Sequence, residues 1–233
     1  MPASKRRENG RETIDRAQRP LAAAGAGVVL EAEGAVVPMT RGAAGDDAAL
    51  VKALFGDAIA AHVRMRDLDH APIVEAARAI REAMGGGGKL LIFGNGGSAA
   101  DAQHFATELV VRFERQRAAF PALALSTDTS VLTAAANDFG FDRVFARQIE
   151  ALGRRDDVAF GISTSGESAN VLRGIEAASA GGLKTIALTG RDGGALGAAA
   201  GIHINVPDAS TARVQEVHMT VIHAICTLVE RAI

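Results

Sequence analysis

Two pairs of residues in this chain have the types and spacing for proton or metal chemistry. His104 and Glu108 stand at i and i+4 of a predicted helix, which sets their Cβ atoms about 6 Å apart on one face. Near the C-terminus, Gln215 and His223 are a little over two helical turns apart and fall on roughly one side, with Met219 between them. An imidazole and an amide on a buried helix face need polar partners, and His104 and Glu108 are partners of the right kind. Two imidazoles and a carboxylate can hold zinc, iron or nickel, and an amide oxygen can join them. The same residues also read as a plain helix pair and as ordinary half-buried histidines. Their spacing matches no short zinc motif, so the residues alone leave both readings open. His218, on the same helix as His223, reads as structural.

Two loops could hold an anion. Gly94-Asn95-Gly96-Gly97-Ser98 joins a predicted strand to a predicted helix. Its glycines leave backbone N–H groups open at a helix N-terminus, which suits negative charge, while Ser98 either caps the helix or bonds a ligand. The full GxGxxG pattern and a Walker lysine are both lacking. An anion site and a tight turn are equally good readings of this loop. Ser163-Thr164-Ser165-Gly166-Glu167-Ser168 is sharper, because four hydroxyls gather at one helix start. One hydroxyl would suffice as a cap. Four favour a phosphate monoester held without lysine. Asn137 and Asp138, at the end of a short helix before Phe139-Gly140-Phe141, read as a turn or as groups reaching the same crevice.

The elements that must position these residues alternate. Two helices are expected first, over 48–66 after Asp46 and Asp47 as candidate N-caps, and over 71–84, stopped by the run Gly85–Gly88. Short apolar strands follow at 89–93, 122–125, 157–162, 184–188 and 202–206. Helices fall between them at 98–113, 129–136, 142–152, 168–180 and 194–200, and a long helix over about 211–231 closes the chain. This alternation predicts an α/β fold with a five-stranded parallel sheet. The strands are nearly all apolar rather than alternating, as expected when helices cover both faces. Ligands in such folds sit beyond the carboxyl ends of the strands, which is where both loops fall.

Composition bounds the rest. The formal net charge of -2 over 233 residues excludes a broad basic surface, so no nucleic-acid partner is expected. Cys226 is the only cysteine, which excludes a disulfide framework; it reads as a core residue in a reduced, cytoplasmic protein. No apolar run is long enough to span a bilayer, and residues 1–19 lack the apolar centre of a secretory signal. Residues 1–45 are expected to be a poorly ordered extension with Met39 as an alternative start, and residues 46–233 to form one domain that includes the helices over 46–84.

Five blocks in order carry a resemblance: Gly94–Leu109, Ala136–Gly153, Gly161–Val171, Ala187–Gly194 and Arg213–His223. Together they resemble the sugar isomerase (SIS) domain and, within it, the bacterial phosphoheptose isomerases, from about Leu50 to the C-terminus. The resemblance implies a Rossmann-like domain of flavodoxin-like strand order with an N-terminal helical arm. It implies conversion of D-sedoheptulose 7-phosphate to D-glycero-D-manno-heptose 7-phosphate, the first step toward the nucleotide-activated heptoses of lipopolysaccharide. It implies a homotetramer with active sites at subunit interfaces and one zinc ion (Zn2+) per subunit, held by His104, Glu108, Gln215 and His223. Glu108 and His223 would be the catalytic pair. Asn95, Gly96, Gly97, Ser98, Glu108, Asn137, Asp138, Ser163, Thr164, Ser165, Ser168 and Gln215 would bind the phosphorylated heptose. The chain departs from the pattern at Ala212, where many members carry Asp, and at Glu167, where Asn is frequent; a carboxylate beside a phosphate repels it unless it points away. The alternatives are isomerisation of another sugar phosphate, and a non-catalytic SIS scaffold that binds the bacterial replication initiator. The block Phe113–Ala134 also resembles that scaffold, but the scaffold lacks the last helix histidine that this chain keeps as His223.

Overall fold

A computed structural model describes residues 46–231; the expected extension over residues 1–45, with Met39, lies outside them. Helix α1 (Asp47–Arg66) starts where the Asp46 carboxylate accepts the Ala49 N–H at 3.1 Å, a side-chain cap on an otherwise orphaned donor. Helix α2 (Ala71–Gly85) has Pro72 in its first turn and stops in the glycine run. Then come β1 (Leu90–Gly94), α3 (Gly97–Val110), β2 (Ala122–Ala124), α4 (Thr129–Phe139), a 3-10 turn (Phe141–Arg143) and α5 (Val144–Leu152). The chain continues through β3 (Val158–Ser163), α6 (Ala169–Ala180), β4 (Lys184–Gly190), α7 (Gly194–Ala199), β5 (Ile202–Val206) and α8 (Thr211–Glu230).

The five strands form one parallel sheet in the order β2-β1-β3-β4-β5, the expected flavodoxin-like arrangement. Its register pairs Leu90 with Val158 and Ile92 with Phe160. Because side chains alternate across a strand, Leu90, Ile92, Val158, Phe160, Ile186 and Leu188 all enter one core with α2, α3 and α8. Leu91, Phe93, Ala159 and Ala187 enter the other, with α5 and α6. Two cores, one on each face, explain why the central strands β1 and β3 are apolar at nearly every position.

Two boundaries differ from expectation. Helix α3 ends at Val110 rather than near 113, because the loop that follows is held by the side chain of Glu230. Helix α4 runs on through Asn137 and Asp138 to Phe139, and stops at Gly140, whose φ of +89° only glycine adopts freely.

Candidate functional site

Strands β1 and β3 are neighbours, yet the helices that follow them pack on opposite faces of the sheet, α3 in one core and α6 in the other. The loops after the two strands diverge, and a crevice opens where the strand order reverses. In the first loop the N-cap of α3 is Gly96, with φ +54°, and not Ser98. Ser98 is the second residue of the helix, buried behind the loop toward Gly94, so its expected capping role is corrected. Among the described residues no backbone carbonyl takes up the N–H of Gly96 or Gly97, and both are the donors a helix start offers an anion. Asn95 exchanges a reciprocal pair of amide hydrogen bonds with Asn170, both 2.8 Å, which locks this loop to the start of α6.

The second loop gathers its hydroxyls. Ser163 Oγ lies 3.0 Å from Ser168 Oγ and 3.4 Å from Ser165 Oγ. Ser168 is the N-cap residue of α6 but its side chain makes no capping bond, so its hydroxyl is not spent on the helix. Ser165 Oγ accepts the Glu167 N–H at 3.1 Å, and Thr164 is half-buried beside it. The Glu167 carboxylate turns to the Ala195 N–H at 3.0 Å, in the first turn of α7. Its charge is directed at a helix start and away from the hydroxyls. Asn137 and Asp138 are exposed and bonded to each other at 2.8 Å; no hydrogen bond joins them to the hydroxyl loop among the described residues, and Asp138 lines a groove between α4 and α5.

Helices α3 and α8 lie side by side and run in the same direction, since Gly97 meets Gln215, His104 meets His223, and Phe113 meets Glu230. The lack of a side chain at Gly97 makes room for the Gln215 amide, which a Cβ there would displace. Farther along the seam, His104 Nε2 lies 3.1 Å from His223 Nε2 and 3.1 Å from Glu108 Oε1. The Phe113 ring packs on His223 with centroids 5.3 Å apart. Glu108 is largely buried while 43% of the His104 side chain is exposed, so the cluster opens to solvent at one side. The donor atoms of His104, Glu108 and His223 all fall within 4.8 Å of one another, a candidate metal triad. Tetrahedral zinc with bonds near 2.0–2.1 Å spaces its donors by about 3.3 Å, close to the 3.1 Å that separates His104 Nε2 from His223 Nε2 and from Glu108 Oε1. The donor set fits a cation in its spacing and in its chemistry, two imidazoles and a carboxylate.

Three buried groups near this seam had no assigned role in the sequence. Asp101, one helical turn before His104, is 8% exposed and its Oδ2 has no hydrogen-bond partner among the described residues; burial pushes its carboxyl up to about 6, against the pull of His104. Glu230 is 2% exposed and accepts the N–H groups of Phe113, Glu114 and Arg115 and the Arg117 guanidinium. Burial alone would raise its pKa, but these donors bring it down to about 2. Arg117 also donates to the carbonyls of Glu108 and Leu109, closing the end of α3. The helical stripe Gly97, Asp101, His104, Glu108 is the signal that would have found the first of these. His218 is fully buried, its Nε2–H donates to the Thr189 carbonyl at 2.9 Å, and burial pushes it down to about 4. It is a neutral structural histidine, as expected. Cys226 is a core residue whose thiol burial pushes up to about 12.

Comparison with known proteins places this site in context. A model of the SIS domain matches residues 55–190. The phosphoheptose isomerase of Halorhodospira halophila is 50% identical over 186 residues, which are 78% of this chain and 94% of that protein. That of Aquifex aeolicus is 49% identical over 183 residues, 78% of this chain and 96% of its own length. Among solved structures, a phosphoheptose isomerase from Neisseria gonorrhoeae superposes with a TM-score of 0.75 at 46% identity, over 78% of this chain and 98% of its own. One from Francisella tularensis gives 0.76 at 37% identity, over 78% and 97%.

Proposed function

The chain belongs to the SIS-domain family and, within it, to the phosphoheptose isomerases, and from that premise we infer that it interconverts D-sedoheptulose 7-phosphate and D-glycero-D-manno-heptose 7-phosphate. This is the entry step to nucleotide-activated heptoses. The observation that carries the reading is the meeting of His104, Glu108 and His223 on the seam that leads from the hydroxyl-lined crevice. The scaffold alternative lacks the last-helix histidine, which this chain keeps as His223 and brings to the triad.

The residues divide the work. Ser163, Thr164, Ser165 and Ser168, with the N–H groups of Gly96 and Gly97, hold the phosphate and so fix the far end of the sugar. Gln215, at the loop end of the seam, touches the sugar between phosphate and triad. Ketose–aldose exchange moves a proton between C1 and C2. Of Glu108 and His223, acting on opposite sides of the intermediate, one takes the carbon-bound proton, so that the C–H electron pair becomes the double bond of an enediol(ate), and the other moves the hydroxyl proton. His104, Glu108, Gln215 and His223 would hold one zinc ion per subunit, which would supply Lewis-acid stabilisation of negative charge on the carbonyl oxygen. Asn95 acts by holding its loop through Asn170. The assembly is a homotetramer with sites at its subunit interfaces, in keeping with the apolar residues that α1 leaves uncovered.

The test is a ketose–aldose assay on purified protein with sedoheptulose 7-phosphate, with and without added zinc. Glu108→Gln and His223→Ala should leave a folded protein whose turnover drops by about 100-fold or more. Zinc content is measured in parallel, since a variant that keeps its metal and loses turnover separates proton transfer from metal binding. Wild-type protein inactive on every heptose phosphate would sink the reading.

A further inference from the structure

The hydroxyl loop, Ser163–Ser168, does not stand alone. It rests on the turn that enters α7, and two consecutive residues splice them together. The Gly166 carbonyl accepts the Leu196 N–H at 2.9 Å, and Glu167 Oε1 accepts the Ala195 N–H at 3.0 Å. Both donors belong to the first turn of α7, where a helix offers them no partner of its own. Gly166 has φ +70°, and a Cβ on it would run into the Gly193 carbonyl, so the two backbones touch. The Glu167 carboxylate lies across Gly194, where a Cβ would meet Oε1.

The support on the far side of this contact is fixed. Leu196 is fully buried in the core that contains α5 and α6. Asn205, on β5, accepts the Thr189 hydroxyl at 2.8 Å and donates to the Arg191 carbonyl at 3.0 Å, which ties the same turn to the edge of the sheet. On the near side, Glu167 stands between Ser165 and Ser168, and its N–H goes to Ser165 Oγ at 3.1 Å. Ser165 therefore accepts from the backbone and keeps its own O–H for another acceptor. Among the described residues, Glu167 is the only side chain that joins this loop to α7 by a hydrogen bond.

We propose that Glu167 is a positioning residue for the phosphate loop: its carboxylate, docked on the Ala195 N–H, holds the backbone between Ser165 and Ser168 so that their hydroxyls stay together for a phosphate monoester. The inference rests on reading this loop as the phosphate site. It assigns a favourable role to a carboxylate that simple repulsion would count against phosphate. The N–H groups at the start of α7 carry partial positive charge, which favours the carboxylate there and offsets its repulsion of a neighbouring anion. A carboxylate that only repelled the phosphate would give an effect of opposite sign.

Binding and turnover of sedoheptulose 7-phosphate test it on the full chain, by calorimetry and by the ketose–aldose assay. Glu167 is exposed, so Glu167→Ala should fold and melt close to wild type. Its affinity for the sugar phosphate should fall by about 3-fold to 10-fold, the scale of one net hydrogen bond. Its kcat should stay near that of wild type, because the protons move elsewhere; a general loss of structure would lower kcat instead. Glu167→Gln keeps an acceptor for Ala195 and should recover most of the affinity. Hydrogen exchange without ligand, read by mass spectrometry, should quicken in peptides over 163–171 and 190–199 in Glu167→Ala and not in Glu167→Gln. That pattern supports the proposal. Tighter binding by Glu167→Ala overturns it and makes Glu167 a plain source of repulsion. Unchanged affinity, or unchanged exchange, in the folded variant overturns it as well. If the wild type binds the sugar phosphate without turning it over, the isomerase reading falls, and affinity and exchange still decide the proposal. If the wild type binds no sugar phosphate, the phosphate reading falls and the proposal falls with it.

Discussion

At the scale of single residues, two positions make sharp predictions. Gly97 gives the Gln215 amide its place, and the obstacle to a Cβ there is the movable end of that side chain. Gly97→Ala should therefore fold and melt close to wild type while turnover falls at least several-fold, because the amide is pushed off the seam. A variant of normal kinetics would show that Gln215 is not needed where the structure puts it. His218 makes a prediction about pH. Its folded pKa is about 4 against an ordinary value of 6.5, so between those values the unfolded chain binds the proton and the folded one does not. Stability is then lost as pH falls from 6.5 toward 4, on the order of 3 kcal/mol in all, and levels off below. Urea unfolding at a series of pH values should show this slope, and His218→Gln, which keeps a donor for Thr189, should flatten it. An identical slope in both proteins would rule His218 out as its source.

At the scale of elements, the active seam is held at its far end by a clamp. Glu230, in the last turn of α8, gathers three backbone N–H groups and Arg117, and Arg117 in turn closes the end of α3 behind Glu108. The Phe113 backbone is part of that clamp and its ring rests on His223. A buried pair broken on one side costs about 3–5 kcal/mol, so Glu230→Ala should lower the melting temperature markedly. It should also reduce turnover in protein that is still folded, since Phe113 loses its support. Full activity in a destabilised but folded variant would uncouple the clamp from the triad.

At the scale of the whole molecule, α1 is apolar on two sides. Ala61 and Met65 are buried in the core that contains α8, while Leu50, Leu54, Phe55, Ile59 and Val63 remain exposed. A helix that is apolar on two sides has more apolar surface than its own domain covers, and in the proposed homotetramer that second side would be covered by another copy. The double change Leu54→Asp with Phe55→Asp should yield smaller species by light scattering at micromolar concentration. A wild-type monomer under those conditions would refute the assembly. No helix among the described residues is long and apolar enough to cross a membrane.

The sequence by itself determined the layers of this protein. Apolar strands bounded by glycine, helices between them, and a hydroxyl run at a strand end follow from local periodicity and turn chemistry, which act over a few residues. The reach of α4 through Asn137 and Asp138 was missed because the stop at Gly140 depends on a backbone angle that composition does not report. Where the Glu167 carboxylate turns is something no local pattern carries: its partner, the Ala195 N–H, lies 28 residues away. His104 and His223 are 119 residues apart, and spacing along one helix could make them only possible partners. Tertiary structure alone decided that α3 and α8 run side by side in step, which brings the imidazoles to 3.1 Å, leaves Asp101 in the seam and sets Glu230 at its end. The physical reason is that contact between two helices is fixed by the sheet on which both are packed, and not by either helix.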